Sequence, residues 1–136
     1  MTANEGRDWL PIAADPAATA ALLTVVCRAA DLCRPGLQHG AVLQEQAADG
    51  WCLRLECRDP GGERLAGEDL DLEIYGSGGD PSIQISWTAD PQAPLLWQGR
   101  HALWMEAEQG QRCSAPSGSV PLEALARRLR ALLVIS

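Results

Sequence analysis

The run Leu70-Asp71-Leu72-Glu73-Ile74, preceded by Asp69, sets three carboxylates at alternate positions. In a strand they share one face, roughly 6.5–7 Å apart. Such a row grips Mg²⁺ or Ca²⁺ only where a second element adds ligands around one point. The sequence offers arginines instead, Arg54 and Arg58 in the preceding strand pattern. The row therefore reads as a solvated, ion-paired face, and no metal site is expected. Gly76-Ser77-Gly78-Gly79 is glycine-rich, but a phosphate loop must feed a helix whose free amides meet the anion. Here Ile83, Ile85 and Trp87 follow in strand alternation, so the segment reads as a turn.

Five cysteines are present, Cys27, Cys33, Cys52, Cys57 and Cys113. The number is odd and no Cys-x-x-Cys occurs, which points away from a metal knuckle or a disulfide framework. Buried free thiols in a reducing cytoplasm is the natural reading. Cys52 and Cys57 lie an odd number of residues apart, so in one strand they point to opposite faces. The two histidines are His39 and His101. Cys113 with either histidine would make a nucleophile and base, since the two need not be near in sequence. Nothing beyond their presence supports that pair. His101 falls on the apolar side of its strand pattern, which predicts a core imidazole bonded to a carbonyl. No Gly-x-Ser-x-Gly or His-Glu-x-x-His occurs. The chain has no lysine, which excludes Schiff-base chemistry and a Walker-type phosphate lysine. No cofactor is expected, and the balance leans away from an enzyme.

Tryptophan and arginine carry the binding signal. There are five tryptophans, no phenylalanine and one tyrosine. Trp51 and Trp87 fit an inward strand face. Trp97 and Trp104 fit the opposite face, beside Arg100. Trp and Arg are enriched in binding hot spots. Arg127, Arg128 and Arg130 gather on the last helix pattern, where they complement its C-terminal dipole or dock an acidic partner. The candidate binding residues are Trp97, Arg100, Trp104, Arg127 and Arg130.

These residues need a scaffold. Period-two alternation marks Trp51–Cys57, Leu70–Ile74, Ile83–Trp87 and His101–Ala107 as half-buried strands. Ala41 to Gln46 is a weaker first strand, and Ala47-Ala48-Asp49-Gly50 reads as its hairpin loop. A two-residue turn at Gln98-Gly99 predicts Trp97 opposite Arg100, Leu96 opposite His101 and Leu95 opposite Ala102. Asp15-Pro16 starts a helix that stops at Pro35-Gly36. That helix is apolar over most of its circumference, so the sheet must cover one side and a second helix or subunit another. Pro121 to Leu133 is an amphipathic helix with a seam of Leu122, Leu125, Leu129 and Leu132, broadened by Ala126 and Leu133. Glu123 and Arg127 are spaced to pair on it. Residues 1–14 read as an arm anchored by Trp9 and Leu10. The fold class is α+β: N-terminal helix, antiparallel meander of four to six strands, and a C-terminal helix packed on the sheet.

A chain of 136 residues with net charge −7 reads as one acidic domain able to bury its own core. Its charge repels nucleic-acid phosphates and anionic lipid, so neither is an expected partner. No signal peptide or spanning apolar stretch is seen, which points to the cytoplasm. In size, acidity, opening helix and closing amphipathic helix the chain resembles the type III secretion chaperone-like domains. That resemblance implies a dimeric binder of extended protein segments. The family usually inserts a helix mid-sheet, whereas here only the stretch from Asp90 to Trp97 is free for one. Together these features predict a small non-enzymatic binding or assembly protein, homodimeric, with a protein partner. The alternative is a ligand binder or enzyme with a cavity between sheet and helix.

Overall fold

Side-chain alternation in the sequence becomes sheet wherever one face can be buried. The computed structural model describes residues 16–47, 50–76 and 80–133. Helix α1 spans Pro16–Cys33, and six strands follow: β1 Gln38–Ala47, β2 Gly50–Arg58, β3 Leu70–Tyr75, β4 Ser82–Trp87, β5 Leu95–Gln98 and β6 Ala102–Met105. Helix α2, Val120–Leu133, closes the order. The strands form one antiparallel sheet in sequence order, β1 to β6. The architecture is the expected α+β. No α-helix interrupts the described strands, only a 3₁₀ turn at Ala66–Glu68. Residues 90–94 are a turn and 95–97 belong to β5, so the mid-sheet helix of the chaperone-like outline is missing there.

Both helices pack on the same sheet face. Trp51, Leu53, Leu55, Leu70, Leu72, Ile74, Ile83, Ile85 and Leu96 bury against Val26, Ala29 and Ala30 of α1 and Leu122, Leu125, Ala126 and Leu129 of α2. Each fully buried Leu or Ile contributes about 1.5–3 kcal/mol relative to exposure. Gly50 is required where it stands. A Cβ there would lie 2.1 Å from the Ile74 carbonyl oxygen on the neighbouring strand.

Helix α1 also guards the β1 edge. The Ala41 amide donates to Cys27 Sγ at 3.1 Å, and the His39 amide donates to Asp31 Oδ1 at 2.9 Å. Four helix residues rise about 6 Å and two strand residues about 6.6 Å, so the two repeats keep step. An edge occupied in this way is a poor template for another strand. Beyond β6, the Cys113 amide donates to the Trp104 carbonyl at 2.8 Å.

The second side of α1 is met by a second helix, α2, one of the two covers expected, while Val25 and Leu32 stay exposed. Three expectations need correction. On α2 the buried seam runs Leu122, Leu125, Ala126, Leu129 and Leu133, and Leu132 points outward. The β5–β6 hairpin turns on Gly99, Arg100 and His101. Gln98 pairs with Ala102, Trp97 with Leu103, Leu96 with Trp104 and Leu95 with Met105. This pairing differs from the expected one by an odd number of residues, which exchanges the two faces of β6 relative to β5. His101 is accordingly exposed in the loop rather than a core imidazole. The arm with Trp9 and Leu10, the Asp15 cap and the loop tips at 48–49 and 77–79 lie outside the described residues.

Candidate functional site

The densest polar chemistry lies where α1 ends. Arg34 follows the last helical residue, and its side chain is 4% exposed. Its Nη1 donates to the Glu68 carbonyl at 3.0 Å and to Cys57 Sγ at 3.2 Å, and Nη2 meets Glu68 Oε1 at 3.0 Å. Nη1 also stands 3.2 Å from His39 Nε2, and His39 Nδ1 stands 2.8 Å from Asp31 Oδ1. Guanidinium only donates. His39 Nε2 must therefore accept, and Nδ1 carries the proton toward Asp31. This tautomer fixes the imidazole as neutral. Burial holds the His39 pKa below its ordinary value, Asp31 opposes that shift and the Arg34 charge adds to it.

Cys57, His39 and Asp31 thus resemble a nucleophile, base and orienter. The thiol, however, is completely buried. Burial pushes its pKa up, the nearby Arg34 pulls it down, and Asp69 and Glu68 push it further up. A reactive cysteine needs a lowered pKa and an open path. The cluster is instead a buried clamp joining α1, β1, β2 and the 3₁₀ turn. Arg34 also sits 5.6 Å over the Trp87 ring. There a recess of about 320 Å³ is lined by Arg34, Pro35, Leu37, Glu68, Trp87 and Pro121, among others.

His39 sets a pH dependence. The unfolded imidazole takes a proton near 6.5, while the folded one resists until a lower pH. Between those values the unfolded state binds more protons, so stability falls as pH drops. Asp69 adds a separate, more acidic step. Burial pushes its carboxyl up, but the Arg64 guanidinium and the Cys57 amide outweigh that and hold it below 3.8. Urea midpoints should therefore decline from pH 7.5 to 5, and His39→Gln should flatten that decline. A wild-type midpoint constant over this range would refute the assignment.

The carboxylate row divides among different partners. Asp69 is 3% exposed and pairs with Arg64 Nη2 at 2.7 Å. Asp71 pairs with Arg54 Nε at 3.1 Å, as the solvated-face reading expected. Glu73 receives Gln84 Nε2 at 3.3 Å and the Tyr75 hydroxyl. Burial, then Asp71 and Glu45, push the Glu73 carboxyl above its ordinary value. Among the described residues no three His, Cys, Asp or Glu side chains could hold a metal ion. The cysteines there are free, but only Cys57 is fully buried, and Cys27, Cys33, Cys52 and Cys113 are half-buried.

No described helix covers the other sheet face. One cross-strand row on it reads Cys52, Glu73, Gln84, Trp97, Leu103. The face is therefore polarised. Its β1–β3 end carries Glu45, Asp71 and Glu73, whose field also raises the Cys52 thiol after burial does. Its β5–β6 end carries half-buried Leu95, Trp97, Leu103 and Met105. There Trp97, Arg100, His101, Ala102, Leu103 and Arg112 line a recess of about 450 Å³.

The structure brings some of the expected binding residues together and separates others. Trp97 folds over the loop: a Cβ on Gly99 would meet its ring at 2.6 Å. Arg100 is 80% exposed and stands 3.8 Å from Asp80. Arg130 bonds the same Asp80 and the Pro81 carbonyl, tying α2 to the start of β4. Arg127 is exposed on α2, away from the sheet. Trp104 is a correction. It is 5% exposed in the core, opposite Leu96, and its indole N–H donates to Glu123 Oε2 at 2.7 Å. Glu123 thus serves Trp104, where a pair with Arg127 was expected. The Arg34–His39–Cys57 cluster was missed. Its sequence signals were His39 in phase with Ala41 and Leu43, and Cys57 in phase with Trp51, Leu53 and Leu55.

The model of one family, described as a domain of unknown function (DUF8659), matches residues 23–132. No curated protein and no solved structure matches the chain. No helix among the described residues is long and apolar enough to cross a membrane.

Proposed function

The chain belongs to the DUF8659 family, and we propose that it is a non-enzymatic protein-binding or assembly module that works as a homodimer paired through its helix-free sheet face. The observation that carries this reading is the polarity of that face. Glu45 and Glu73, beside an Asp71 already paired with Arg54, stand at one end, and aromatic and cationic Trp97, Arg100 and Arg112 stand at the other. A two-fold axis lying between the two sheets and parallel to the strands sets each end of one copy against the opposite end of its partner, the self-complementarity an isologous interface needs. Glu73, held above its ordinary pKa by burial and then by the like charges of Asp71 and Glu45, gains a countercharge in that arrangement. Trp97 and Leu103 supply the apolar centre and the arginines the rim. Two motives for a dimer in the sequence, a second open side on α1 and an outward Trp104, do not enter it.

Size-exclusion chromatography with light scattering tests the proposal. At tens of micromolar the chain should run at twice its 14.6 kDa. Trp97→Glu should shift it to the single-chain mass while circular dichroism stays native. Glu73→Arg should weaken the dimer, and Arg112→Glu in the same chain should restore part of it. A single-chain mass for the wild type at that concentration overturns the homodimer.

A further inference from the structure

The helix layer presents a second surface, on the opposite side of the sheet. On α1, Cys27 and Asp31 reach the β1 edge. At about 100° per residue, Val25 and Leu32 then fall on the other flank, toward α2. On α2, Arg130 and Glu123 reach the β4 and β6 side, through Pro81 and Trp104. Arg128 and Leu132 fall on the flank toward α1. The Cys33 thiol, raised by burial, is pulled down by Arg128 and then Arg127, which places those charges at the end of α1. The solvent side of the helix pair is therefore a groove. Leu32 is 65% exposed, Leu132 49% and Val25 37%. Arg28, Arg127 and Arg128 stand on its rims.

Charge selects the occupant. The chain carries net −7, yet the described helices hold only two carboxylates, Asp31 and Glu123, each committed to a partner on the sheet side. The groove side carries arginine alone. Two copies joined through this surface would set arginine against arginine. An anionic bilayer would meet the repulsion of the rest of the molecule. A protein helix with an apolar stripe and glutamates beside it satisfies both the leucines and the arginines.

We propose that the α1–α2 groove, lined by Val25, Leu32 and Leu132 and rimmed by Arg28, Arg127 and Arg128, docks an acidic amphipathic helix of a partner protein. The assignment rests on the protein-binding reading but not on dimerisation, because it uses the other side of the molecule. The probe is a fluorescein-labelled 18-residue peptide of about five turns, with leucines at i, i+3, i+4 and i+7 and glutamates elsewhere. Fluorescence anisotropy against the full chain should saturate in the micromolar range and weaken with salt. Leu32→Asn and Arg128→Glu should each weaken binding about tenfold, the loss of one anchor. Both positions are exposed, so melting and solution mass should match the wild type. Arg28→Glu serves as a second variant should either fail to fold. Equal binding of a peptide with scrambled leucines or with lysine for glutamate overturns the proposal. So do unchanged affinities in all the variants, or Leu32- and Arg128-dependent uptake by phosphatidylserine vesicles with no peptide binding. Solution mass is a separate readout, so loss of the dimer and loss of the groove are told apart.

Discussion

Arg34→Ala should destabilise the chain by about 3–5 kcal/mol, the range for removing one partner of a buried charge network. A domain of ordinary stability has about 5–15 kcal/mol in total, so much of the fold is at stake. One guanidinium meets the Glu68 carbonyl, the Glu68 carboxylate, Cys57 Sγ and His39 Nε2. Truncation leaves acceptors without donors in a place closed to water, since the Arg34 and His39 side chains are 4% and 0% exposed. It also removes the cation over Trp87. The Glu68 carboxylate is half exposed and can turn to solvent, which keeps the loss from growing larger. Arg34→Lys should recover only part, because an ammonium is a point charge and cannot fork among acceptors on separate elements. Urea unfolding followed by circular dichroism measures both. A loss below about 1 kcal/mol for Arg34→Ala would mean that the cluster opens and rehydrates at little cost.

That clamp marks where sequence reading stops. Period-two patterning was enough to place β2, β3 and β4, since Leu53, Leu55, Leu72, Ile74, Ile83 and Ile85 are all inward and buried. The ends of α1 followed from Pro16 and from Pro35-Gly36, and Gly36 has the positive φ of 89° that the turn closed by the Leu37 amide on the Arg34 carbonyl requires. The Arg34 partners are different in kind. Glu68 lies 34 residues away and Cys57 23, and only the β1–β2 register sets Cys57 opposite His39. No local pattern encodes that meeting. Arg34 itself, beside Pro35, looks like an ordinary cation at a helix C-terminus. The candidate binding residues were half legible for a related reason. Trp97 and Arg100 follow from β5 and its loop, whichever turn is used. The facing of Trp104 hangs on the length of that turn, and one Gln-Gly dipeptide suggested a shorter one.

The turn length therefore sets the second large effect. With Leu96 opposite Trp104, Trp104 is core, and Trp104→Ala should cost about 3–5 kcal/mol through lost burial and the space left behind. Trp104→Phe isolates the polar part. It keeps a ring in the cavity but leaves the Glu123 carboxylate without the indole N–H that stands at 2.7 Å, a hydrogen bond to a charged group worth about 1.5–3 kcal/mol. Glu123→Gln retains an acceptor and should lose less than Trp104→Phe. Trp97→Ala, on the helix-free face, should lose clearly less than Trp104→Ala when measured at concentrations where single chains prevail. Urea unfolding of the four variants ranks them. In the two-residue turn the order of the tryptophans changes, because Trp104 then shares the outer face with Trp97. Equal losses for Trp97→Ala and Trp104→Ala would thus refute the Gly99–His101 loop, and with it the placement of Leu103 beside Trp97 on the proposed dimer face.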